Sequence, residues 1–402
     1  MSRYTFILLL ILSSSLTFAQ SIQFWGPHRN QVYDETGLLD EWPEEGPELL
    51  ATISGIGAGY ASPAITEQGI FIPGMIDTIG YMFHFNHQHE LIWKYEYGRE
   101  FTNKYLGSRG TPTVEENRLY YSGTYGDAFC LNASTGDVIW KKNLMEEYGG
   151  PLISWGYTES PLIYKDLVIL TPGGPDHSIM AFNKYSGAPV WTIDLDSVFN
   201  AYCSPILIEH NQEELVLMNT SHFLLLLEPN TGEVRYKQNI ANPRSYNAPT
   251  PLYHEGKIFY STGYGFGSAL YDINEEAGTL DTIYYNDDLD TKVSGMILYD
   301  GTVFGAADRK KQWVGIDFET GETVFMSRKL KPGSFFLADD KFFIFTDMGE
   351  LALAKPRKDG FDIISRFKIP VQPASFAFAH PVLYKGHMYV RYLDNLWIYK
   401  VK

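Results

Sequence analysis

Short apolar segments that alternate with polar positions recur along the whole chain, and most of them begin at a small residue followed by proline. The repeat starts lie at Ser62, Thr111, Ser160, Ser204, Thr250, Ser294, Gly333 and His380. They are spaced roughly 45 residues apart on average, which is the length of one four-stranded propeller blade. β-Branched and aromatic residues fill the segments, and no long helical periodicity interrupts them. The pattern predicts an all-β, eight-bladed propeller of four-stranded antiparallel blades.

A second landmark within the units is a glycine turn followed by an alternating strand that ends in an aromatic residue. The clearest copies end at Trp140, Trp191, Tyr236 and Phe325. Glycine supplies the positive φ of a tight hairpin, and the aromatic side chain is large enough to fill the space between neighbouring blades. These turns therefore predict structure and not chemistry.

The last unit has only three strands, at 381–384, 387–391 and 395–401. We expect the segment 48–53 to supply the fourth strand, so that the N-terminus closes the ring and leaves no open edge. The chain then divides into residues 1–19, a lead segment at 20–47 and a propeller at 48–402.

Residues 1–19 have the features of a cleavable signal peptide, with Arg3, an apolar run over 6–12 and small residues at Thr17 and Ala19. The apolar run is too short for a transmembrane helix, and the absence of a cysteine at the cleavage site removes the usual lipid attachment point. We expect a periplasmic or secreted monomer without membrane insertion. The formal net charge of −16 argues against a nucleic-acid partner.

In a propeller, the segments before the inner strands line one face around the central channel, where ligands commonly bind. The predicted ligand-binding residues on this channel face are Arg109, Tyr157, Glu159, Tyr202, Asn247, Lys292 and His380. Such a mixture of charged, amide and aromatic groups suits a polar small molecule, a glycan or a protein partner. The alternative is that these are solvated strand ends. Arg109 and Glu159 occupy neighbouring blades, and we expect an ion pair between them and no catalytic residue.

Metal binding is not predicted. Asp287, Asp288 and Asp290 could hold Ca²⁺, but their spacing is not that of an EF-hand or another known calcium loop, and a solvated acidic turn is the favoured interpretation. The histidines at 84, 87 and 89 fall on the opposite face with no partner ligand at a useful offset. Cys130 and Cys203 belong to different blades, so that no disulfide is expected between them.

The repeats, together with the lead Trp25-Gly26-Pro27-His28-Arg29-Asn30 and the segment 155–161 with Pro172-Gly173-Gly174, resemble those of a known family. It comprises the PQQ-binding-like (quinoprotein alcohol dehydrogenase-like) eight-bladed propellers, related to the outer-membrane barrel-assembly propeller lipoproteins. The resemblance implies either a binding protein or a dehydrogenase that uses pyrroloquinoline quinone (PQQ).

The dehydrogenases of that family carry adjacent cysteines that stack on PQQ, a calcium site and a catalytic Asp. No Cys-Cys pair occurs in this chain. We therefore expect a non-catalytic exported binding or scaffold module without a cofactor, and the alternative is a PQQ-dependent periplasmic dehydrogenase that oxidises alcohols or sugars.

Overall fold

The computed structural model describes residues 23–196, 198–372 and 375–402. The described chain forms eight four-stranded antiparallel sheets, one of which gains a fifth, parallel strand. This confirms the predicted eight-bladed propeller. The proposed signal peptide at 1–19 lies outside the described residues.

Two strands precede the first blade, β1 (Val32–Tyr33) and β2 (Leu49–Ser54). Blade one comprises β3 (Ala64–Thr66), β4 (Gly69–Ile76), β5 (Ile79–Phe85) and β6 (Leu91–Arg99). Blade two comprises β7 (Thr113–Glu115), β8 (Arg118–Ser122), β9 (Asp127–Asn132) and β10 (Val138–Asn143), and is followed by the short helix α1 (Leu144–Tyr148). Blade three comprises β11 (Leu162–Tyr164), β12 (Leu167–Leu170), β13 (Ile179–Asn183) and β14 (Pro189–Ile193). Blade four comprises β15 (Ile206–His210), β16 (Glu213–Asn219), β17 (Phe223–Leu227) and β18 (Val234–Asn239).

Blade five comprises β19 (Leu252–His254), β20 (Lys257–Ser261), β21 (Ser268–Asn274) and β22 (Thr279–Asn286). Blade six comprises β23 (Thr291–Tyr299), β24 (Thr302–Ala307), β25 (Gln312–Asp317) and β26 (Thr323–Ser327). Blade seven comprises β27 (Gly333–Ala338), β28 (Lys341–Thr346), β29 (Glu350–Arg357) and β30 (Gly360–Lys368). Blade eight contains β31 (Val382–Tyr384), β32 (His387–Tyr392) and β33 (Asn395–Lys400).

The N-terminal strand β2 closes the ring as predicted. It pairs antiparallel with β33, with Thr52 opposite Trp397 and Ile53 opposite Leu396. Ile53 is buried in a core shared by blades eight and one. The first and last parts of the propeller are thereby joined in one sheet.

The small residues at the repeat starts connect consecutive blades through hydrogen bonds around the channel. The backbone N–H of Ser62 donates to the Thr111 hydroxyl at 3.1 Å, that of Thr111 to the Ser160 hydroxyl at 3.0 Å, and that of Ser160 to the Ser204 hydroxyl at 3.0 Å. We call the side chains of Thr111, Ser160 and Ser204 the hydroxyl belt. A Ser or Thr recurs at these positions because each hydroxyl satisfies a buried N–H of the preceding blade.

The glycine hairpins connect the outer parts of the blades. Gly187 has a φ of 69°, and a Cβ at this position would lie 2.9 Å from the Trp140 ring of the preceding blade. The Trp140 indole N–H donates to the Lys184 carbonyl in the same hairpin at 2.9 Å. Trp93 and Trp191 make the corresponding contacts with the next hairpins. We call each such unit, an aromatic ring on a glycine turn, an interblade latch.

The lead segment passes through the central channel. Trp25 contacts His380 on the channel face, and Val32–Tyr33 then pairs parallel with the far end of β27. Beyond the channel, the Glu35 carboxylate accepts hydrogen bonds from the backbone of Lys385 and Gly386 on the opposite face. The channel is therefore filled by residues of the lead.

Arg29 is the charged residue at the centre of this plug. Its side chain is buried, and its guanidinium donates to the carbonyls of Ser160, Pro161 and Pro205 and to the Thr113 hydroxyl. One arginine can satisfy several inward-facing carbonyls because it carries five N–H donors in a planar fork. The plug therefore connects blades two, three and four.

The hydrophobic core lies between adjacent blades, in clusters that each combine side chains from two sheets. None of the helices in the described part of the chain is long and apolar enough to span a membrane.

Candidate functional site

A cleft opens on the channel face, above the plug. Its empty volume is about 990 Å³ when the solvent of the open mouth is included. Residues from the lead and from the entrances of seven blades line it. We call this the mouth cleft.

Aromatic side chains form most of its wall, namely Phe24, Trp25, Tyr60, Tyr105, Trp155, Tyr202, Tyr246 and Phe378. Their ring contacts form three groups: Phe24 with Trp25, Tyr60 with Tyr105, Trp155 and Phe378, and Tyr202 with Tyr246. The ring centroids of Tyr202 and Tyr246 lie 5.1 Å apart, and those of Tyr105 and Phe378 lie 5.3 Å apart. Trp155 contacts Tyr105 at 5.7 Å. The wall therefore offers flat apolar surfaces with polar edges, which suit ring stacking.

Two cations line the same cleft. The Arg109 guanidinium lies 4.6 Å from the centre of the Phe101 ring and donates to the Tyr105 carbonyl at 2.6 Å. Burial lowers the pKa of Arg109, and the nearby Glu100 opposes this shift. The Lys292 ammonium lies 4.4 Å from the centre of the Tyr264 ring.

The floor of the cleft is a hydrogen-bonded pair formed by Trp25 and His380. The Trp25 indole N–H donates to Nδ1 of His380 at 3.0 Å, while Nε2 of His380 lies 2.8 Å from the Val293 carbonyl. A neutral imidazole with its proton on Nε2 satisfies both contacts. Burial lowers the pKa of His380 to about 4. Its position therefore couples the lead to blades six and eight.

A second recess continues the mouth cleft beyond Lys292, Tyr105 and Phe378. It contains an Asp308–Lys311 ion pair at 2.7 Å and the carboxyl group of Asp347. Burial raises the pKa of Asp347, and one of its carboxyl oxygens has no hydrogen-bond partner in the described structure.

Four of the seven predicted ligand-binding residues line the mouth cleft: Arg109, Tyr202, Lys292 and His380. The other three, Tyr157, Glu159 and Asn247, are fully buried and lie outside it. The Tyr157 hydroxyl donates to the Pro172 carbonyl at 2.6 Å. Asn247 donates to the carbonyls of Thr220 and Ser221 and accepts from Tyr260. In the structure, these two side chains hold loops together.

The prediction of an ion pair between Arg109 and Glu159 is wrong, because the Glu159 carboxylate has other partners. The Glu159 carboxylate accepts hydrogen bonds from the backbone N–H of Thr171 at 2.8 Å and from its hydroxyl at 2.5 Å. Burial raises the pKa of Glu159 to about 7, partly offset by these bonds and by the charge of Arg29. The positive charge that acts on Glu159 is therefore that of Arg29 in the plug and not that of Arg109, because the lead segment enters the channel.

A simple positional rule separates the two groups. In seven of the eight blades the residue two positions before the repeat start lines the cleft: Tyr60, Arg109, Thr158, Tyr202, Ala248, Lys292 and Phe378. Most residues one or three positions before the start, such as Glu159 and Tyr157, turn into the protein, and the exceptions are Pro249 and Val293, which also line the cleft. The two-residue period of an extended chain gives this alternation. The repeat register could therefore have identified Thr158, Ala248 and Phe378, whereas Trp25 and Trp155 come from segments outside it.

The acidic and histidine clusters weighed from the sequence have structural partners. The Asp290 carboxylate accepts from the backbone N–H groups of Gly265 and Arg309, and Asp288 forms an ion pair with Lys310. His84 stacks on Phe71 at 4.2 Å. Within 23–196, 198–372 and 375–402, no group of three or more His, Cys, Asp or Glu residues is arranged to hold a metal ion.

The residues present do not fit PQQ in the manner of the quinoprotein dehydrogenases. Cys130 lies in β9 and Cys203 before blade four, and both are buried free thiols, so that no disulfide platform can form. Of the carboxylates considered for calcium, Asp290 accepts hydrogen bonds from the backbone N–H groups of Gly265 and Arg309, and Asp288 is paired with Lys310.

Eight four-stranded blades, closed by an N-terminal strand and carrying an aromatic cleft at the channel mouth, define a propeller of the quinoprotein repeat class. The sequence model of the family described as "Outer membrane protein assembly factor BamB" matches residues 85–327. The chain belongs to this family.

Known relatives agree with this assignment. The chain is 24% identical over 169 residues to the outer membrane protein assembly factor BamB of Shewanella oneidensis, a match that covers 40% of each protein. The match thus spans about two fifths of the length of that curated relative.

Solved structures show the same fold. The chain is similar to BamB from Moraxella catarrhalis, with a TM-score of 0.62, 14% identity and coverage of 88% of this chain and 99% of that one. It is also similar to the quinohemoprotein alcohol dehydrogenase from Comamonas testosteroni, with a TM-score of 0.68, 11% identity and coverage of 94% and 80%. At these identities the likeness extends to the fold alone.

Proposed function

We propose that the protein is an exported, non-catalytic binding propeller whose mouth cleft holds a polar ligand, a glycan or a segment of a protein partner. The family suggests a protein-binding or scaffold role, since the matched relative is named an assembly factor. We place this binding in the mouth cleft.

The single observation that carries it is the composition of the mouth cleft. Aromatic rings and two cations line a concave site of about 990 Å³, and the plug closes it from below. Clefts with a few polar groups among aromatic walls are the usual form of ligand sites.

Apolar side chains around the cleft add a surface for a larger partner. Six of them are exposed on loops of the channel face: Leu106, Leu152, Phe199, Phe266, Met348 and Phe376. Other exposed apolar side chains lie on the outer strands, such as Leu91, Val190 and Tyr285, so the six are an addition to the cleft and do not by themselves mark the site.

Filling the cleft tests this location. Ala248 lines the mouth cleft, so that Ala248→Trp should occupy the site and abolish the complex that the wild-type protein forms in its native host. Ala277 lies in the exposed β21–β22 hairpin on the opposite face. Ala277→Trp is the matched control and should leave that complex intact. Unchanged complex formation by a folded Ala248→Trp protein would place the site elsewhere.

A PQQ-dependent dehydrogenase is the alternative function, favoured by the structural likeness to a quinohemoprotein alcohol dehydrogenase. Titration of the protein with PQQ and Ca²⁺, followed by dye-linked turnover on a panel of alcohols and sugars, distinguishes the two. We expect neither tight binding nor turnover. Submicromolar PQQ binding together with turnover would establish the dehydrogenase.

Export is part of the proposal because residues 1–19 have the pattern of a signal peptide. Intact-mass measurement of protein secreted by a bacterial host should show a chain that begins at Gln20. A secreted product that retains Met1 would contradict removal of the peptide.

A further inference from the structure

The cations of the mouth cleft form no ion pairs among the described residues, although the carboxylate of Glu100 acts on Arg109, and Asp308 and Asp347 lie in the adjoining recess that Lys292 also lines. Among the described residues Arg109 forms no ion pair; one of its terminal nitrogens donates to the carbonyls of Lys104 and Tyr105, and its Nε is buried without a partner. Lys292 makes neither an ion pair nor a side-chain hydrogen bond within the described chain, and its ammonium contacts only the face of Tyr264. No carboxylate lines the mouth cleft itself, although the whole protein has 48 acidic and 32 basic residues.

The hydroxyl belt adds hydrogen-bond donors to the same cleft. Thr111, Ser160 and Ser204 line it, and each hydroxyl oxygen accepts a backbone N–H from the preceding blade. A hydroxyl group that accepts one bond still has its own proton to donate. In the described structure none of these three hydroxyl groups donates to another residue, so that the cleft presents donors and positive charge to a ligand.

A peptide that pairs as an added strand does not fit this site. The N–H groups of Ser62, Thr111 and Ser160 at the blade entrances are already bound by the hydroxyl belt. A peptide gains much of its affinity in that mode from free backbone groups at a strand edge. A ligand with its own rings and acceptor oxygens fits better, because the walls are flat aromatic surfaces such as Trp155 and Tyr105.

We propose that the mouth cleft binds an acidic carbohydrate, a short oligosaccharide whose sugar units bear carboxylates. A sugar ring stacks on the aromatic wall, sugar hydroxyl oxygens accept from the hydroxyl belt, and carboxylates on different units bind to Arg109 at the entrance of blade two and to Lys292 at the entrance of blade six. This inference rests on the proposed function, since it names the ligand class of the same site.

Calorimetric titration of the full-length protein with trigalacturonate and with neutral galactotriose tests the charge requirement. The acidic trisaccharide should bind at least about tenfold more tightly, because charge-assisted hydrogen bonds are roughly twice as strong as neutral ones. Raising the salt concentration should weaken binding of the acidic sugar alone. Equal affinities for the two sugars, or no binding of either, would overturn the acidic-carbohydrate proposal.

Substitutions of Lys292 and Arg109 test whether these two cations bind the acidic sugar. Lys292→Gln should weaken trigalacturonate binding by about tenfold or more and leave the melting temperature unchanged, because Lys292 has no ion pair to lose. Arg109→Gln should have the same effect on binding, and Arg328→Gln, an exposed arginine outside the cleft, is the matched control that should bind as the wild type does. Undiminished binding by Lys292→Gln would contradict the proposal.

Failure of this inference differs from failure of the proposed function. If neither sugar binds but Ala248→Trp still abolishes the native complex, the cleft is a binding site for another ligand. If the sugar binds to Ala248→Trp as it does to the wild type, the acidic-carbohydrate proposal is wrong, because the sugar then lies outside the cleft; the proposed function fails as well only if this variant also keeps the native complex. Benzoate and inorganic phosphate serve as further probes, and binding of either with higher affinity than trigalacturonate would replace the sugar with a general anion.

Discussion

Glu159 is a buried carboxyl group, and its burial should make the free energy of unfolding depend on pH. Its side chain is fully buried beside Thr171, and the pKa is raised from 4.5 to about 7. The folded protein therefore holds this proton more tightly than the unfolded chain does. The stabilisation that comes from the bound proton is complete below pH 4.5 and is lost as the pH rises through 7.

Glu159→Gln should remove this pH dependence. The wild-type protein should lose on the order of 3 kcal/mol of unfolding free energy between pH 4.5 and 7 through this group. Chemical denaturation measured at several pH values should show a flatter profile for Glu159→Gln. His380, whose pKa is lowered to about 4, changes stability in the opposite direction in both proteins, so that the difference between the two profiles isolates Glu159. Parallel profiles would contradict the assignment.

At the scale of single elements, the interblade latches explain why the repeats carry a glycine and an aromatic residue at fixed positions. The glycine is required twice, by its positive φ and by the ring that lies against it, as at Gly187 and Trp140. The indole N–H then satisfies a carbonyl of the same hairpin. A latch therefore combines turn geometry, packing and hydrogen bonding between two blades.

Alanine substitution separates these contributions. Gly187 and Gly278 have nearly equal φ values of 69° and 67°, but only Gly187 has a ring within reach of an added Cβ, since nothing lies within 4 Å at Gly278. Gly278→Ala should cost about 1 kcal/mol for the left-handed backbone. Gly187→Ala should cost about 1–3 kcal/mol more, because Trp140 must shift. Equal losses in urea denaturation would show that the ring contact contributes nothing.

At the scale of the whole molecule, the N-terminal segment both plugs the channel and closes the ring. Arg29 connects the carbonyls of two blade entrances, and β2 completes blade eight. Since a closed ring has no free sheet edge between its first and last blades, both ends of the chain contribute to one cooperative structure.

Truncation distinguishes the plug from the closure. A chain that begins at residue 32 keeps β2 and should still fold, with a lower melting temperature because the carbonyls that Arg29 satisfies lose their partner. A chain that begins at residue 56 lacks β2 and should be unstable or aggregate, because β33 becomes an open edge. If the shorter chain melted at the temperature of the full-length protein, the closure would contribute nothing to stability.

The fold could be predicted from the sequence because the determinants repeat. Eight copies of a start residue and several glycine turns gave the blade number, and the missing fourth strand of the last blade indicated that β2 closes the ring. The repeat starts and the glycine turns are each recognisable from a few consecutive residues, so that no contact between distant parts of the chain has to be known to find them.

The site was only partly predictable, for reasons of geometry. Arg109, Tyr202, Lys292 and His380 line the cleft, but the segment before an inner strand alternates between the cleft and the interior, and this alternation placed Glu159 inside. The plug could not be foreseen either. The contacts of Arg29 join residues more than 80 positions apart, and nothing in the lead motif indicates that it enters the channel.

The central claim is that the mouth cleft is where this propeller binds its ligand. Site-specific photo-crosslinking in the native host tests it most directly, with the photoreactive residue placed at Trp155 in the cleft or at Ala277 on the opposite face. Mass spectrometry of the purified protein reports an adduct whether the ligand is a sugar or a protein segment. We expect an adduct at position 155 and none at position 277. An adduct at 277 together with none at 155 would contradict it.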